Sequence, residues 1–522
     1  MGPKIVKINA CICRRGDYNK ANLSRGGGPG IAINHVPPWK EAFSMTKDLT
    51  TGSSMRLILN FTVPTLLGLL FQQMYNMVDA VIVGKLLGSQ ALGAVGATGS
   101  INFFVIGFCL GVCSGFAIPV AQKMGARDYP QMRRFVANAA YLSAGIALVL
   151  TVATGLFCRD ILMAMDTPDD LFEDSFAYIF VIFMGIPAVF LYNLLACVIR
   201  AMGDSRTPVY FLALSSGLNI AMDLIFILAF RWGVAGAAVA TVASQAVSGL
   251  ACLVDVIRRF PILHVTREES RPSLAACRTL CAMGIPMGLQ YSITAIGSIV
   301  MQTAVNGLGS VYVTAVATAN KISQLLTCPF DAMGSAMAAY CGQNVGAGKL
   351  DRLSQGVRSC SLLGLIYSLI AFAAMLFLAP HVAMLFLDPA EEGLETLIAL
   401  TARYIVILTA FFFPLALVNI LRFSIQGMGF GALAILAGVL EMAARTAAGR
   451  FFVPALGFTA ACFASPAAWI SADLFLIPAC LGCIAHLRRH PAPSPEMLSK
   501  PAANPPIREA LTPASQKHGA VH

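Results

Sequence analysis

Charge is what this chain has least of. Asp, Glu, Lys and Arg make up 12% of its 522 residues, where soluble domains carry about 25%. With 57% hydrophobic residues and a mean hydropathy of +0.73, a water-soluble fold is excluded. Histidine is scarce as well. The seven, at 35, 264, 381, 486, 490, 518 and 522, fall in loops, tails or the ends of apolar runs, which argues against an intramembrane enzyme. Cys480 and Cys483 form one CxxC, but no second pair or nearby His completes a zinc-site spacing. Most other cysteines, among them Cys109, Cys113, Cys197 and Cys462, lie inside apolar runs as small hydrophobes. No basic run interleaved with aromatics is present, so nucleic acid is not a partner. Residues 1–54 contain no apolar stretch long enough for a secretory leader. With Gly26-Gly27-Gly28-Pro29-Gly30 and Pro37-Pro38 among polar residues, they are expected to be disordered, and Met45 is a candidate start. The Pro-rich tail 490–522 is expected to be disordered too.

What is abundant is apolar sequence in lengths that cross a bilayer, about 20 residues each. Twelve such runs occur, near 57–83, 92–121, 135–157, 174–198, 208–230, 234–257, 275–304, 311–340, 356–379, 396–421, 430–453 and 458–486. The second six repeat the first at an offset of 221 residues: Leu87-Gly88-Ser89 returns as Leu308-Gly309-Ser310, Ala94-Val95 as Ala315-Val316, and Gln122 with Gly125-Ala126 as Gln343 with Gly346-Ala347. A duplicated helical bundle suits a secondary transporter, whose lobes rock about a site held between them. The expected organisation is all-α and polytopic: an N-terminal extension to 54, an N-lobe over 55–258, a linker over 259–274, a C-lobe over 275–489 and a tail.

Orientation follows from the basic residues of the loops. Fifteen fall after the even-numbered runs: Lys123, Arg127, Arg133, Arg134, Arg200, Arg206, Arg258, Arg259, Arg267, Arg271, Arg278, Lys349, Arg352, Arg358 and Arg422. The opposite loops hold Lys85, Arg159, Arg231 and Arg450, with acidic clusters at Asp160, Asp166, Asp169, Asp170, Glu173, Asp174 and at Asp388, Glu391, Glu392, Glu395. Both termini are therefore predicted to be cytoplasmic, in a cell membrane.

Each charge at membrane depth costs at least about 2.5 kcal/mol and is a functional candidate. Asn219 and Asp223, four apart, project from one helix face. Thr241 follows a short Arg231-Trp232-Gly233 connection and can reach the same level. With Asp79, four oxygen-bearing side chains can converge, suiting sodium or a shared proton; the competing reading is a bridge between helices. Glu441 and Arg445 have the same spacing with opposite charges, which favours a structural ion pair. Lys321 stands where the first copy has Ser100, and Asp331 lies about 15 Å along the same helix, too far for direct pairing. Arg403 and Asp473 are further candidates. Pro64, Pro187, Pro286 and Pro414 favour kinks, and Pro64 is a candidate hinge. Tyr75, Phe103, Met184, Tyr192, Met301 and Met333 are candidate cleft residues for organic cations, with Gln72 beside them.

The stretch Gln72-Gln73-Met74-Tyr75-Asn76-Met77-Val78-Asp79 resembles the first helix of the multidrug and toxic compound extrusion (MATE) family. Gly203-Asp204-Ser205-Arg206-Thr207-Pro208, Asn219 with Asp223, and Gly342-Gln343-Asn344-Val345-Gly346-Ala347 extend the resemblance across about residues 46–490. It implies two six-helix lobes, alternating access, and export of amphipathic cations by exchange for protons or sodium, with no other cofactor. It also implies a cation site at Asp79, Asn219, Asp223 and Thr241, and a bending helix at Pro64. A second-lobe cation site with acidic residues on helix seven is not supported, because 277–308 contains no Asp or Glu. The expected partners are small amphipathic cations and the bilayer, and the expected state is a monomer. The alternative transporter reading is a flippase of lipid-linked oligosaccharides; a channel is disfavoured by the lobe repeat.

Overall fold

In the structure, a computed structural model, residues 48–165, 167–387 and 393–490 are described. The remaining tail residues, with Asp166, Asp388, Glu391 and Glu392, lie outside them. Every element among the described residues is helical, and twelve helices form two lobes of six. The N-lobe holds α1 (Ser54–Leu87), α2 (Ser89–Ala97 and Gly99–Gly125), α3 (Tyr129–Leu156), α4 (Asp169–Met184 and Ile186–Ala201), α5 (Thr207–Leu224) and α6 (Gly233–Arg259). The C-lobe holds α7 (Leu274–Asn306), α8 (Ser310–Gly346), α9 (Asp351–Met384), α10 (Leu394–Ala410 and Phe412–Gly427), α11 (Gly431–Ala447) and α12 (Phe458–Arg489).

The repeat is visible in the backbone. Gly88 and Gly309, the repeated glycines, both take positive φ, 91° and 110°, a conformation that Cβ-bearing residues avoid. Each starts the helix that follows. Both α5 and α11 run out into a π turn, Ile225–Ala229 and Ala448–Phe452. Nine helices are long and apolar enough to cross a membrane, and α4 and α10 join them if each bent pair is one span, bent by 47° and 51°. The helix missing from that count, α8, is 37 residues long and carries Asn320, Lys321, Gln324 and Asp331, so its polarity and not its length sets it apart. Of the four prolines expected to kink their helices, Pro187 and Pro414 sit just past the breaks in α4 and α10, whereas α1 and α7 run unbroken through Pro64 and Pro286.

The lobes meet along α2 and α7, the most extensive helix pairing in the molecule. Gly111 and Gly115 face Gly284 and Gly288, four apart on each helix. A Cβ at Gly111 would stand 2.5 Å from the Met287 carbonyl oxygen, and one at Gly115 2.5 Å from the Gly284 Cα. Small residues at that spacing let membrane helices touch backbone to backbone.

The lobes also close at the end of the bundle where α1 begins and α12 ends, which we call the basal end. The repeat mates Gln122 and Gln343 make matching bonds across the seam: Gln122 Nε2 donates to the Gly427 carbonyl at 3.2 Å, and Gln343 Nε2 to the Ala201 carbonyl at 2.9 Å. Residues 48–53, expected to be disordered with the rest of the extension, are pinned to this end. Leu49 N–H donates to Gln343 Oε1 at 3.0 Å, its carbonyl accepts from Asn344 Nδ2 at 3.2 Å, and Lys349 Nζ donates to the Thr50 carbonyl at 2.9 Å. The polar C-terminal end of α8, with Lys349 just beyond it, thus satisfies a backbone that composition alone marks as unstructured.

The linker between the lobes is clipped to α3. Arg133 donates through Nε and Nη2 to both carboxylate oxygens of Glu269, at 2.8 and 2.6 Å, and Ser273 N–H donates to Asn138 Oδ1 at 2.9 Å. The Arg133 guanidinium lowers the Glu269 carboxyl from its ordinary 4.5 to about 2. A carboxylate lowered on folding stabilises fully above its unfolded value and loses that contribution as pH falls through the folded one. Glu269→Gln should therefore lower the melting temperature in detergent at neutral pH by roughly 1–3 °C. The gap between the two proteins should close as pH falls from 4.5 toward 2. A gap constant over that range would remove this ion pair from the stability of the linker.

Candidate functional site

Between the lobes lies a cavity of about 650 Å³, lined from the middle and distal parts of the helices. Gln72, Tyr75 and Asp79 of α1, Phe103 of α2, Tyr178 of α4, and Thr241 and Gln245 of α6 form its N-lobe wall. Tyr291 of α7, Asp331 of α8, Asn419 and Arg422 of α10, and Glu441 and Arg445 of α11 form the wall opposite.

Asp79 and Asp223 are brought together, close enough for each carboxyl to act electrostatically on the other. Asp79 faces the cavity, while Asp223 is fully buried behind it. Neither Asp223 oxygen, nor Asp79 Oδ1, receives a hydrogen bond from a described residue. Two bare carboxylates side by side at this depth repel each other and are costly to desolvate. The arrangement fits a proton or a small cation between them. Asn219 lies one turn before Asp223 on α5, and its Nδ2 donates to Thr241 Oγ1 at 3.3 Å, whose own hydroxyl donates to the Ala237 carbonyl at 3.1 Å. That orientation leaves Asn219 Oδ1 buried without a donor, one helical turn from Asp223.

A family model, MatE, matches residues 64–225 and 286–447, one copy in each lobe and together more than half of the chain. The chain is a MATE-family efflux transporter. It is 30% identical over 311 residues to "Probable multidrug resistance protein YpnP" of Bacillus subtilis (strain 168), covering 59% of this chain and 68% of that one. It is 24% identical over 374 residues to a "FAD transporter" of Shewanella oneidensis, covering 70% and 80%. Among solved structures, a multidrug resistance MATE family transporter in an outward-facing conformation superposes with a TM-score of 0.79 at 21% identity, covering 84% of this chain and 98% of that one.

In this MATE transporter the other singled-out residues separate. Gln72, Tyr75 and Phe103 line the large cavity. Tyr192 does not: its hydroxyl donates to the Pro208 carbonyl at 3.1 Å, and it borders a smaller cavity of about 180 Å³ on the basal side. Met184 lies against Gly155 of α3, Met333 is buried in the C-lobe core, and Met301 lines a separate C-lobe pocket. Lys321 is exposed, and no ion pair joins it to Asp331 among the described residues. Arg403 donates to Thr459 Oγ1 at 3.1 Å, and Asp473 is buried on α12 with Oδ1 unpartnered.

Two residues counted as loop charges lie inside the helix bundle. Arg200 belongs to α4 and lines the smaller cavity, and Arg422 belongs to α10 and lines the large one. The expected Glu441–Arg445 ion pair is present, and Arg422 joins it as a second partner of Glu441. Arg422 hydrogen-bonds Glu441 directly, while Arg445 stands 3.7 Å away on the other carboxylate oxygen. α10 runs on to Gly427, five residues past Arg422, whereas the apolar run ends at 421. Tyr178, buried beside Asp79 and Asp223, was not singled out from sequence. Nothing local distinguishes it from other aromatics of the spans.

Proposed function

We infer that this transporter exports amphipathic organic cations from the cytoplasm in exchange for protons or sodium ions. The observation that carries this reading is the donor-free pair of Asp79 and Asp223, one facing the cavity and one sealed behind it. A proton or sodium ion arriving from outside passes Asp79 to reach Asp223. Its binding removes the negative charge that holds a cationic substrate, and exchange follows because both ligands need the same carboxyl groups. The cavity supplies Tyr75, Phe103 and Tyr291 as aromatic surface for organic cations.

The charge bias supports cytoplasmic termini. With Arg200 and Arg422 set aside, thirteen basic residues remain on the basal side against four opposite. The basal end is then the cytoplasmic gate, drawn closed by Gln122 and Gln343, and loading from the cytoplasm requires that these bonds part. The test is efflux of a fluorescent organic cation from proteoliposomes with proton and sodium gradients imposed separately. Efflux driven by one inward gradient supports antiport and names the ion. Equal efflux without either gradient, or none of the cation at all, overturns it.

A further inference from the structure

The two copies of the repeat place different chemistry at equivalent positions. Aligned by the family match, which sets the copies 222 residues apart, one more than at the Gly88–Gly309 turn, Asp79 corresponds to Met301 and Asp223 to Arg445. Tyr178 and Tyr404 each precede by seven residues the break in their helix, at Gly185 and Phe411. Thr241 and Ser465 each follow by eight the positive-φ glycine that opens α6 and α12, Gly233 and Gly457.

The four C-lobe counterparts, Met301, Tyr404, Arg445 and Ser465, all line one pocket of about 100 Å³ with Gln302 and Asn320, and Arg445 stands between it and the transport cavity, whose wall it also lines. Its polarity is inverted. Where the N-lobe has two carboxyls, this pocket has a thioether and a guanidinium, and no carboxylate lines it. Arg445 is only 9% exposed, and its Nη1 is buried without a partner. Its charge is also under-compensated. Glu441, 3.7 Å from Arg445, is shared with Arg422 and bonds it more closely. A desolvated guanidinium with a free N–H calls for an anion. The hydroxyls of Tyr404 and Ser465 and the amides of Gln302 and Asn320 bring further donors.

We propose that this C-lobe pocket binds a small anionic group at Arg445, assisted by Ser465 and Tyr404, as the inverted counterpart of the N-lobe cation site. The group is either a free monovalent anion or a carboxylate carried by a transported molecule. The inference does not rest on the antiport reading.

The test uses the full chain in detergent and reads binding, not transport. Chloride is titrated at constant ionic strength against gluconate, which is too bulky for the pocket, while the melting temperature is followed. In parallel, a carboxylate-bearing fluorescent dye is titrated into chloride-free protein. The expected result is a saturable chloride stabilisation, lost in Arg445→Gln and weakened about fivefold in Ser465→Ala. Arg445→Gln leaves the Arg422–Glu441 pair intact, and Ser465→Ala gives a second reading should it fail to fold. If chloride has no effect but dye affinity falls at least tenfold in Arg445→Gln and is also weakened in Ser465→Ala, which lines the small pocket and not the large cavity, the anion is part of the transported molecule. The proposal is overturned if neither ligand distinguishes the variants from the parent protein. None of these results alters the Asp79–Asp223 reading, which only the gradient experiment addresses.

Discussion

Asp223→Asn should abolish gradient-driven efflux, lowering the rate by about hundredfold, while the protein remains folded and inserted. The asymmetry follows from what surrounds the side chain. Asp223 is 0% exposed, and no described residue donates to either oxygen, so the fold makes no demand on its ionised form. Asparagine has the shape of the protonated acid and satisfies the same packing. What it cannot do is release a proton, or offer a negative charge to a cation, when the cycle returns. Substrate binding in the absence of a gradient should survive, because Asp79 still faces the cavity. Efflux of the Asp223→Asn protein at the parent rate would remove this carboxyl from coupling. Loss of folding would instead make it structural, and melting curves of the two proteins separate those outcomes.

Much of the candidate site is legible in the sequence, and for identifiable reasons. Asn219 and Asp223 are one helical turn apart, polar side chains are rare at membrane depth, and the α5–α6 connection is short enough to bring Thr241 alongside. The lobe architecture followed from the repeat in the same way. The C-lobe was harder. Periodicity in a soluble helix marks the buried face because the other face is wet; in a bilayer both faces are apolar, so Met184, Met301 and Tyr192 looked alike although the structure sends them to three different places. Arg422 looked like a loop residue because it ends an apolar run, but α10 continues to Gly427 and holds it against Glu441. The inverted pocket is invisible from Arg445 alone, since its i,i+4 carboxylate suggests complete neutralisation. It emerges when the two copies are compared position by position and the third member, Arg422, is in place.

The repeat also forecasts where the molecule is least tolerant of one added methyl group. Gly125 and Gly346, repeat mates at the ends of α2 and α8, meet across the basal seam. A Cβ on Gly125 would lie 1.9 Å from the Gln343 carbonyl oxygen, and one on Gly346 1.7 Å from the Gln122 carbonyl oxygen. Both obstacles are helix backbone, which cannot rotate out of the way as a side chain can, so the lobes must separate there to admit the methyl group. The same separation parts the Gln122–Gly427 and Gln343–Ala201 hydrogen bonds. Overpacking of this kind costs about 1–3 kcal/mol, enough to move a two-state balance about five- to hundredfold. Gly346→Ala should therefore disfavour the basally closed state selectively and reduce turnover about tenfold or more. Spin labels on the exposed basal residues Arg206 and Gln355, in a background without other reactive cysteines, should report a longer interlobe distance than in the parent protein. Gly145→Ala on α3, where a Cβ meets nothing within 4 Å, is the control and should change neither quantity. An unchanged distance distribution in Gly346→Ala would show that the seam yields without opening, and the tight backbone approach would then have no part in gating.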